Sequence, residues 1–371
     1  MNDPSLDKTK PLAAGATLAV LTSGGDAPGM NAALRTVTKI GLARGLRIWG
    51  VRHGYRGLLD GDGVELHHRD VDQIIRYGGT LLGSARELRF RTEEGRALAQ
   101  RRIVEQGIDG VVVVGGDGSL TGARVLAGLQ ASDGARLRVV GVPASIDNDV
   151  GCSSLSIGVD TAMNTIVEAI DKIADTARAH ERVFIVEVMG RDCGYLAMVS
   201  GIASSADVVL YRERGLSHDE LLAQVESAAR RAYADGSGKR MVLIVKAEGV
   251  SLPAEAIKRH LDARLRPDVP NVETRVTVLG HLVRGGAPTA MDRLVASRLA
   301  NAAVLAAAEG YTDVMAAWRP PTGERSPWDP DVALFGLEEV LAETAAIRDG
   351  TSAVSRKRVA LLQGVEAVLS L

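Results

Sequence analysis

The stretch Gly110–Ser119, GVVVVGGDGS, runs four valines in succession into two glycines, an aspartate, a third glycine and a serine. A short, unbroken run of β-branched residues ending in glycines reads as a strand buried on both faces. Such a strand needs a layer of helices on each side, which is the arrangement of α/β proteins. Working outward, the theme repeats. TLAVLT (17–22), RIWGV (47–51), LRVVGV (137–142), RVFIVEVMG (182–190), ADVVLY (206–211), RMVLIVKAEG (240–249) and TRVTVLGH (274–281) are further apolar strands. Between them, Met30, Ala33, Leu34, Val37 and Ile40 recur at helical spacing up to a stop near Gly45, and 92–107 and 159–177 read as helices. Ser217–Glu220, SHDE, has capping-box spacing and predicts a helix start. The expectation is an α/β fold built on parallel sheets covered on both faces.

The chain has 371 residues, which suggests two domains, and 46% of them are hydrophobic. A formal net charge of −2 argues against nucleic acid and anionic membranes as partners. Only 3% of residues are aromatic, too few for a base-stacking platform. Two cysteines, Cys152 and Cys193, form neither a disulfide framework nor a zinc pattern, which fits a reducing cytoplasm. The opening MNDPSLDKTKPLAAG lacks the apolar core of a signal peptide and reads as a mobile tail over 1–15. No run approaches the roughly 18 apolar residues of a spanning helix.

In sheets of this class, ligands sit beyond the carboxyl ends of the strands. The loops there are informative. SGGDAPGMN (23–31) is glycine-rich between a strand and a helix, where backbone N–H groups approach phosphate oxygens; it matches neither a Walker A loop nor GxGxxG, and a plain tight turn is the alternative. In GGDGS (115–119), Gly115, Gly116 and Gly118 leave room for a nucleotide, and Asp117 suits a hydrated Mg²⁺. PASIDNDVG (143–151) puts Asp147 and Asp149 past a strand end, toward the crevice of Asp117; a solvated Asx turn is the competing reading. A basic set comprises Arg86, Arg182, Arg191, Arg275, His281 and Arg284; arginine forks match phosphate oxygens, whereas an isolated arginine or histidine is ordinarily a surface or packing residue. Phosphate cradles, a metal-binding acid, a further carboxylate and a separate arginine set together point to phosphoryl transfer onto a phosphorylated acceptor.

From about residue 17 to 345 the chain resembles the bacterial-type 6-phosphofructokinases. The resemblance is carried by LTSGGDAPGMNAALR, GYRGLL, GGTLLGSAR, VVGGDGS, PASIDND, GVDTAMNT, VEVMGRDCGYLA and TRVTVLGHLVRGG, in the family's order. It implies transfer of the γ-phosphoryl group of ATP to the 1-hydroxyl of fructose 6-phosphate. By this resemblance Asp147 is the base, Arg86 bridges the transferring group, and Ser145, where many relatives carry threonine, keeps a hydroxyl nearby. Asp117 and Asp149 organise Mg²⁺. Gly25, Tyr55, Gly116, Gly118 and Ser119 match nucleotide-side positions. Met189, Gly190, Arg191, Glu248, Arg275, His281 and Arg284 match the sugar-phosphate side, with Asp192 close by. Counterparts of Arg182 and Arg275 reach across from a neighbouring subunit, which implies a homotetramer or homodimer.

The resemblance also implies a nucleotide-binding domain over 16–158 and 284–335, and a sugar-phosphate domain over 159–283 and 336–371; the tail VALLQGVEAVLSL is apolar enough to pack. Pyrophosphate-using relatives resemble GGDDS and PKTIDND; Gly118 and Ala144 here favour ATP. Arg35, Lys39 and Lys239 match an effector site, but His68 and Ala174 replace arginines there, so effector control is expected to be reduced or altered. A pyrophosphate-dependent enzyme, a kinase of another ketose phosphate, a kinase of the NAD or lipid type and a non-catalytic regulatory subunit are the alternative readings.

Overall fold

The structure, a computed structural model, describes residues 6–234, 241–318 and 328–369, with side chains to 365. The quoted valines lie in β4 (Ile108–Gly115), and every residue of that strand is buried. Around it are β1 (Thr17–Ser23), β2 (Arg47–Val51), β3 (Gly63–Glu65), β5 (Arg138–Pro143), β10 (Val314–Trp318) and β11 (Val332–Gly336), in the order β11-β10-β5-β4-β1-β2-β3. The five central strands run parallel. The two edges do not: β3 pairs antiparallel with β2, and β11 with β10. The sheet is thus parallel-based, as expected, with an antiparallel strand at each edge. Edge strands that are covered less completely, as β3 and β11 are, can be reached by a short return and need no crossover helix.

This sheet belongs to one of two compact units, residues 1–161 with 284–345. Alternation along β4 sends Val111 and Val113 to one face. There, with Ala19, Leu21 and Val139, they pack under Leu58 and Leu59 of α2 (Tyr55–Asp60), Ala99 and Ile103 of α3 (Glu93–Glu105), Leu120 and Leu126 of α4 (Asp117–Ala127) and Val340 of α10 (Leu337–Asp349). Helices α1 (Met30–Ala43) and α9 (Ala290–Ala308) pack on one another and against the strands. The result is a helix–sheet–helix sandwich.

The expected loose tail over 1–15 does not hold for residues 7–12. Thr9 and Leu12 donate N–H bonds to the carbonyls of Gly310 and Ala308, and Lys8 lies 3.9 Å from the centroid of the Tyr311 ring. Arg138, fully buried, donates from Nε to the Lys10 carbonyl at 2.8 Å and grips Asp133 bidentately at 3.0 and 3.1 Å. A buried guanidinium must satisfy its donors, so the segment is held by the cost of leaving it.

The second unit comprises residues 162–283 and 346–371. Its sheet, in the order β7-β8-β6-β9, contains β6 (Val183–Val188), β7 (Val208–Leu210), β8 (Val242–Ala247) and β9 (Thr274–Val278), all parallel. It is flanked by α6 (Tyr195–Ala203), α7 (His218–Ala232) and α8 (Ala254–Leu265). Ser217 caps α7 in the expected capping box with Glu220. The chain passes between the units three times, within α5 (Val159–Ala179), between Val283 and Arg284, and within α10, and closes with α11 (Ala353–Leu369). The tail thus lies in a helix as far as Leu369; its last two residues fall outside the described residues. Among the described residues, no helix is long and apolar enough to cross a membrane.

Candidate active site

Strand order creates a switch point in the first sheet: β1 leads to β2 on one side, while β4 lies on the other. At such a point the loops after the two strands separate and leave a crevice. The loop after β1 carries Gly24 and Gly25, and β4 ends on Gly115 and is followed by Gly116. Packing requires glycine at 115, where a Cβ would meet backbone, and is close at Gly24 and Gly25. A Cβ on Gly24 would lie 3.1 Å from Ser119 Oγ; on Gly25, 2.5 Å from Arg284 Nη1; and on Gly115, 2.5 Å from both Ser119 Oγ and the Ser23 carbonyl. Gly118, in the first turn of α4, is different. It is exposed, and a Cβ there would meet nothing within 4 Å. Nothing in the described protein demands a glycine at this helical position, where glycine costs about 1 kcal/mol relative to alanine.

Asp117 opens α4, and Ser119 Oγ is buried without a hydrogen-bond partner beside Gly24 and Gly115. Tyr55, expected to face the nucleotide, is instead almost wholly buried. Its hydroxyl donates to the Ser119 carbonyl at 2.6 Å, its ring stacks on Phe90, and burial pushes its phenol pKa well up. Gly122 makes room for that ring, since a Cβ there would lie 2.4 Å from it. Tyr55 therefore supports α4 from beneath.

The loop after β5 adjoins the same place: a Cβ on Gly116 would lie 3.6 Å from the Cβ of Ser145. Ser145 Oγ donates to Asp149 Oδ1 at 2.8 Å. Between the two acids, Asn148 is fully buried with φ +50°, a left-handed conformation that asparagine tolerates. Its amide donates to the Ser154 carbonyl at 3.1 Å and accepts from the Ser156 N–H at 3.0 Å. The acids in IDND are thus carried on a pinned loop; Asp149 is buried and Asp147 partly so.

Arg86 is exposed at the end of GGTLLGSAR. The segment holding it is bound to the first loop by residues that sequence reasoning did not single out. Thr22 Oγ1 donates to the Gly83 carbonyl and shares a hydrogen bond with Thr80, Asn31 accepts from the Leu81 N–H, and Ser84 Oγ donates to the Gly24 carbonyl. Thr80 and Ser84 were visible inside the quoted motif, but their role depends on a partner more than 50 residues away. Arg284, expected with the sugar-phosphate set, starts the returning segment of the first unit and donates to the Asp26 carbonyl at 3.2 Å.

In the second unit, Met189, Gly190 and Arg191 follow β6, Glu248 follows β8, and His281 follows β9. The Glu248 N–H bonds the Val188 carbonyl and the Gly249 N–H the Gly190 carbonyl, which joins two of these loops. Arg191 and His281 are exposed, and Asp192 pairs with Arg212 at 3.3 Å. Arg182 and Arg275 sit at the opposite, amino-terminal end of the same sheet. Glu273 bridges them at 2.7 and 2.5 Å. A strand rises about 3.3 Å per residue, so about 20 Å separates Arg182 from Met189. Of the effector-type residues, Lys39 pairs with Asp72, whose carboxyl it pulls below the usual range; Lys239 lies outside the described residues.

Three comparisons bear on this arrangement. The model of the family Phosphofructokinase matches residues 17–307. An ATP-dependent 6-phosphofructokinase of Thermotoga petrophila is 47% identical over 300 residues, 81% of this chain and 89% of that one. One of Clostridium botulinum is 44% identical over 288 residues, 78% of this chain and 85% of the other. Among solved structures, a phosphofructokinase of Saccharomyces cerevisiae superposes with a TM-score of 0.81 at 32% identity; the match covers 94% of this chain and 50% of that one, so this chain spans about half the yeast length. A pyrophosphate-dependent phosphofructokinase of Marinobacter aquaeolei shares the fold, with a TM-score of 0.72 at 21% identity over 88% of this chain and 83% of the other. With a family model spanning most of its length and relatives of this identity over nearly all of theirs, the chain belongs to the phosphofructokinase family.

Proposed function

We propose that the protein transfers the γ-phosphoryl group of ATP to the 1-hydroxyl of fructose 6-phosphate, giving fructose 1,6-bisphosphate and ADP. In this reading the first unit is the nucleotide-binding domain and the second the sugar-phosphate domain. The observation that carries it is the cradle at the β1/β4 switch point, with open space above Gly118, beside the pinned acid loop of Asp147 and Asp149. The helix start at α4, the buried Ser119 hydroxyl and the two glycine loops suit phosphate oxygens.

Asp147 accepts the proton of the attacking hydroxyl. As that oxygen bonds to the γ-phosphorus, the bond to the β,γ-bridging oxygen breaks and ADP leaves. Arg86 meets the charge on the transferring group, and Ser145 both offers a hydroxyl and orients Asp149. Asp117 and Asp149 would hold Mg²⁺. Among the described residues no group of three or more His, Cys, Asp or Glu side chains forms a metal cage. One or two carboxylates are what magnesium takes when phosphates and waters complete its shell. When bound, the ion neutralises phosphate charge. Arg191, His281, Met189, Gly190, Glu248 and Arg284 serve the sugar phosphate.

The donor follows from Gly118. A carboxylate there would project into the open space and repel an α-phosphate; glycine admits it. Ala144, almost wholly buried and hydrogen-bonded through its N–H to the Gly115 carbonyl, offers no cation to pyrophosphate. Arg182 and Arg275, at the far end of their sheet from Arg191 and His281, act on the sugar phosphate of a neighbouring chain, so the working form is a homo-oligomer. Ion pairing of Lys39 with Asp72 leaves less free charge for a phosphorylated effector, consistent with reduced effector control.

The test offers ATP and pyrophosphate separately with Mg²⁺ and follows fructose 1,6-bisphosphate. Turnover with ATP alone is expected. Turnover with pyrophosphate alone would overturn the donor assignment, and turnover with neither would overturn the function.

A further inference from the structure

The loop after β6, VMGRDCGYLA, is packed without slack. Gly190 has φ +129°, and a Cβ on it would lie 2.5 Å from the Cys193 carbonyl; one on Gly249 would lie 2.1 Å from the Arg191 carbonyl. On the far side the Gly194 N–H donates to Glu213 Oε1 at 2.6 Å. One more contact closes the loop, and it comes from 165 residues away. Arg358 of α11 places its guanidinium over the Tyr195 ring at 4.5 Å and donates from Nη1 to Cys193 Sγ at 3.8 Å. Helix α11 packs on α6, which this loop leads into, and lies beyond the 17–307 stretch matched by the family model.

We infer that Arg358 is a positioning residue for the sugar-phosphate site: the C-terminal helix braces the 189–195 loop and so sets where Arg191 and Met189 stand. The inference rests on the sugar-phosphate reading of that loop. A cation over an aromatic ring in a partly desolvated contact is strong enough to fix a loop conformation, and the sulfur contact fixes which face of the loop meets the helix. Because the brace acts on the loop that carries Met189 and Arg191, its loss should appear in sugar affinity.

The test is Arg358→Ala in the full-length protein. The expected result is a KM for fructose 6-phosphate raised about five- to fiftyfold, with kcat and the KM for ATP within about twofold of the parent. A second readout does not depend on turnover. Cys193 is only 2% exposed. Its native-state labelling by a thiol reagent, located by peptide mass to separate it from Cys152, should accelerate about tenfold or more in the variant once the covering guanidinium is gone. Should the alanine variant not fold, Arg358→Lys, which keeps a cation over the ring but loses the planar fork, carries both readouts with a smaller shift, about two- to fivefold in sugar KM. Michaelis constants that stay unchanged or move together, or labelling that stays at the parental rate, overturn the brace. A parent with no activity on fructose 6-phosphate would instead overturn the functional reading, while the labelling comparison would still decide whether Arg358 holds the loop.

Discussion

At the scale of single residues, the site separates groups that do chemistry from groups that hold them in place. In the proposed mechanism Asp147 belongs to the first kind. Asp147→Asn keeps the shape of the pinned loop but removes the proton acceptor, so kcat should fall by about 10²–10⁴ while sugar affinity changes little. Steady-state kinetics with fructose 6-phosphate checks this, and an unchanged kcat would end the assignment. Gly118 gives a second residue-level prediction with two parts of opposite sign. Because a Cβ there meets nothing, Gly118→Asp should leave the fold intact and stabilise it by about 1 kcal/mol, through helix propensity and a carboxylate at a helix start. The same carboxylate should lower kcat/KM for ATP by about tenfold or more, ~1.4 kcal/mol of lost transition-state stabilisation. Denaturation paired with ATP kinetics would show both effects; lost stability with unchanged ATP use would refute the reading of the open space. Asn148 is of the second kind. Its buried, left-handed backbone and two hydrogen bonds explain why an asparagine stands between the acids.

At the scale of elements, helix pairs carry electrostatics unrelated to catalysis. Glu226 on α7 accepts hydrogen bonds from Arg230 on the same helix and from His260 and Arg264 on α8. Desolvation opposes its ionisation, yet these three donors win and hold its pKa down to about 2. A depressed carboxylate stabilises the fold above its unfolded pKa near 4.5, and that contribution drains away as the pH falls from there toward 2. Glu226→Gln should therefore cost roughly 1 kcal/mol at neutral pH, a screened multi-partner pair, and progressively less below pH 4.5. Urea unfolding at a series of pH values checks the convergence; a difference that persists at the acid end would point to packing instead of charge. The docked segment 7–12 makes a related point. Nothing in its polar sequence announces structure, and its order comes from Arg138, a buried guanidinium whose donors must be met.

At the scale of the whole molecule, the second sheet divides the proposed sugar-phosphate residues between its two ends. Arg275 lies in register with Phe184 near the start of β6, whereas Arg191 follows its end, and in the proposed reading the two serve the sugar phosphates of different sites. Arg275→Ala and Arg191→Ala chains should each be inactive on fructose 6-phosphate. Random one-to-one mixing of the two should regain about a quarter of the parental sites over the whole population, because only a site built from the intact half of each chain works. No recovery after co-expression, with mixed oligomers verified by mass, would place both arginines in one chain's site or in none. What the sequence by itself determined is local: the buried strands, their alternation with helices, the capping box at Ser217, and the glycine and aspartate loops after β1, β4 and β5. Hydrophobic period and turn chemistry are written within a few neighbouring residues, and so is the motif order that carries the family resemblance. Tertiary structure alone decided the antiparallel edges, the switch point between β1 and β4, the burial of Tyr55 beneath α4, the anchoring of residues 7–12, and the pairing of Arg182 with Arg275 through Glu273. Each of these depends on which distant segments pack together, and the burial of groups far apart in the chain leaves no periodic signal within any one segment.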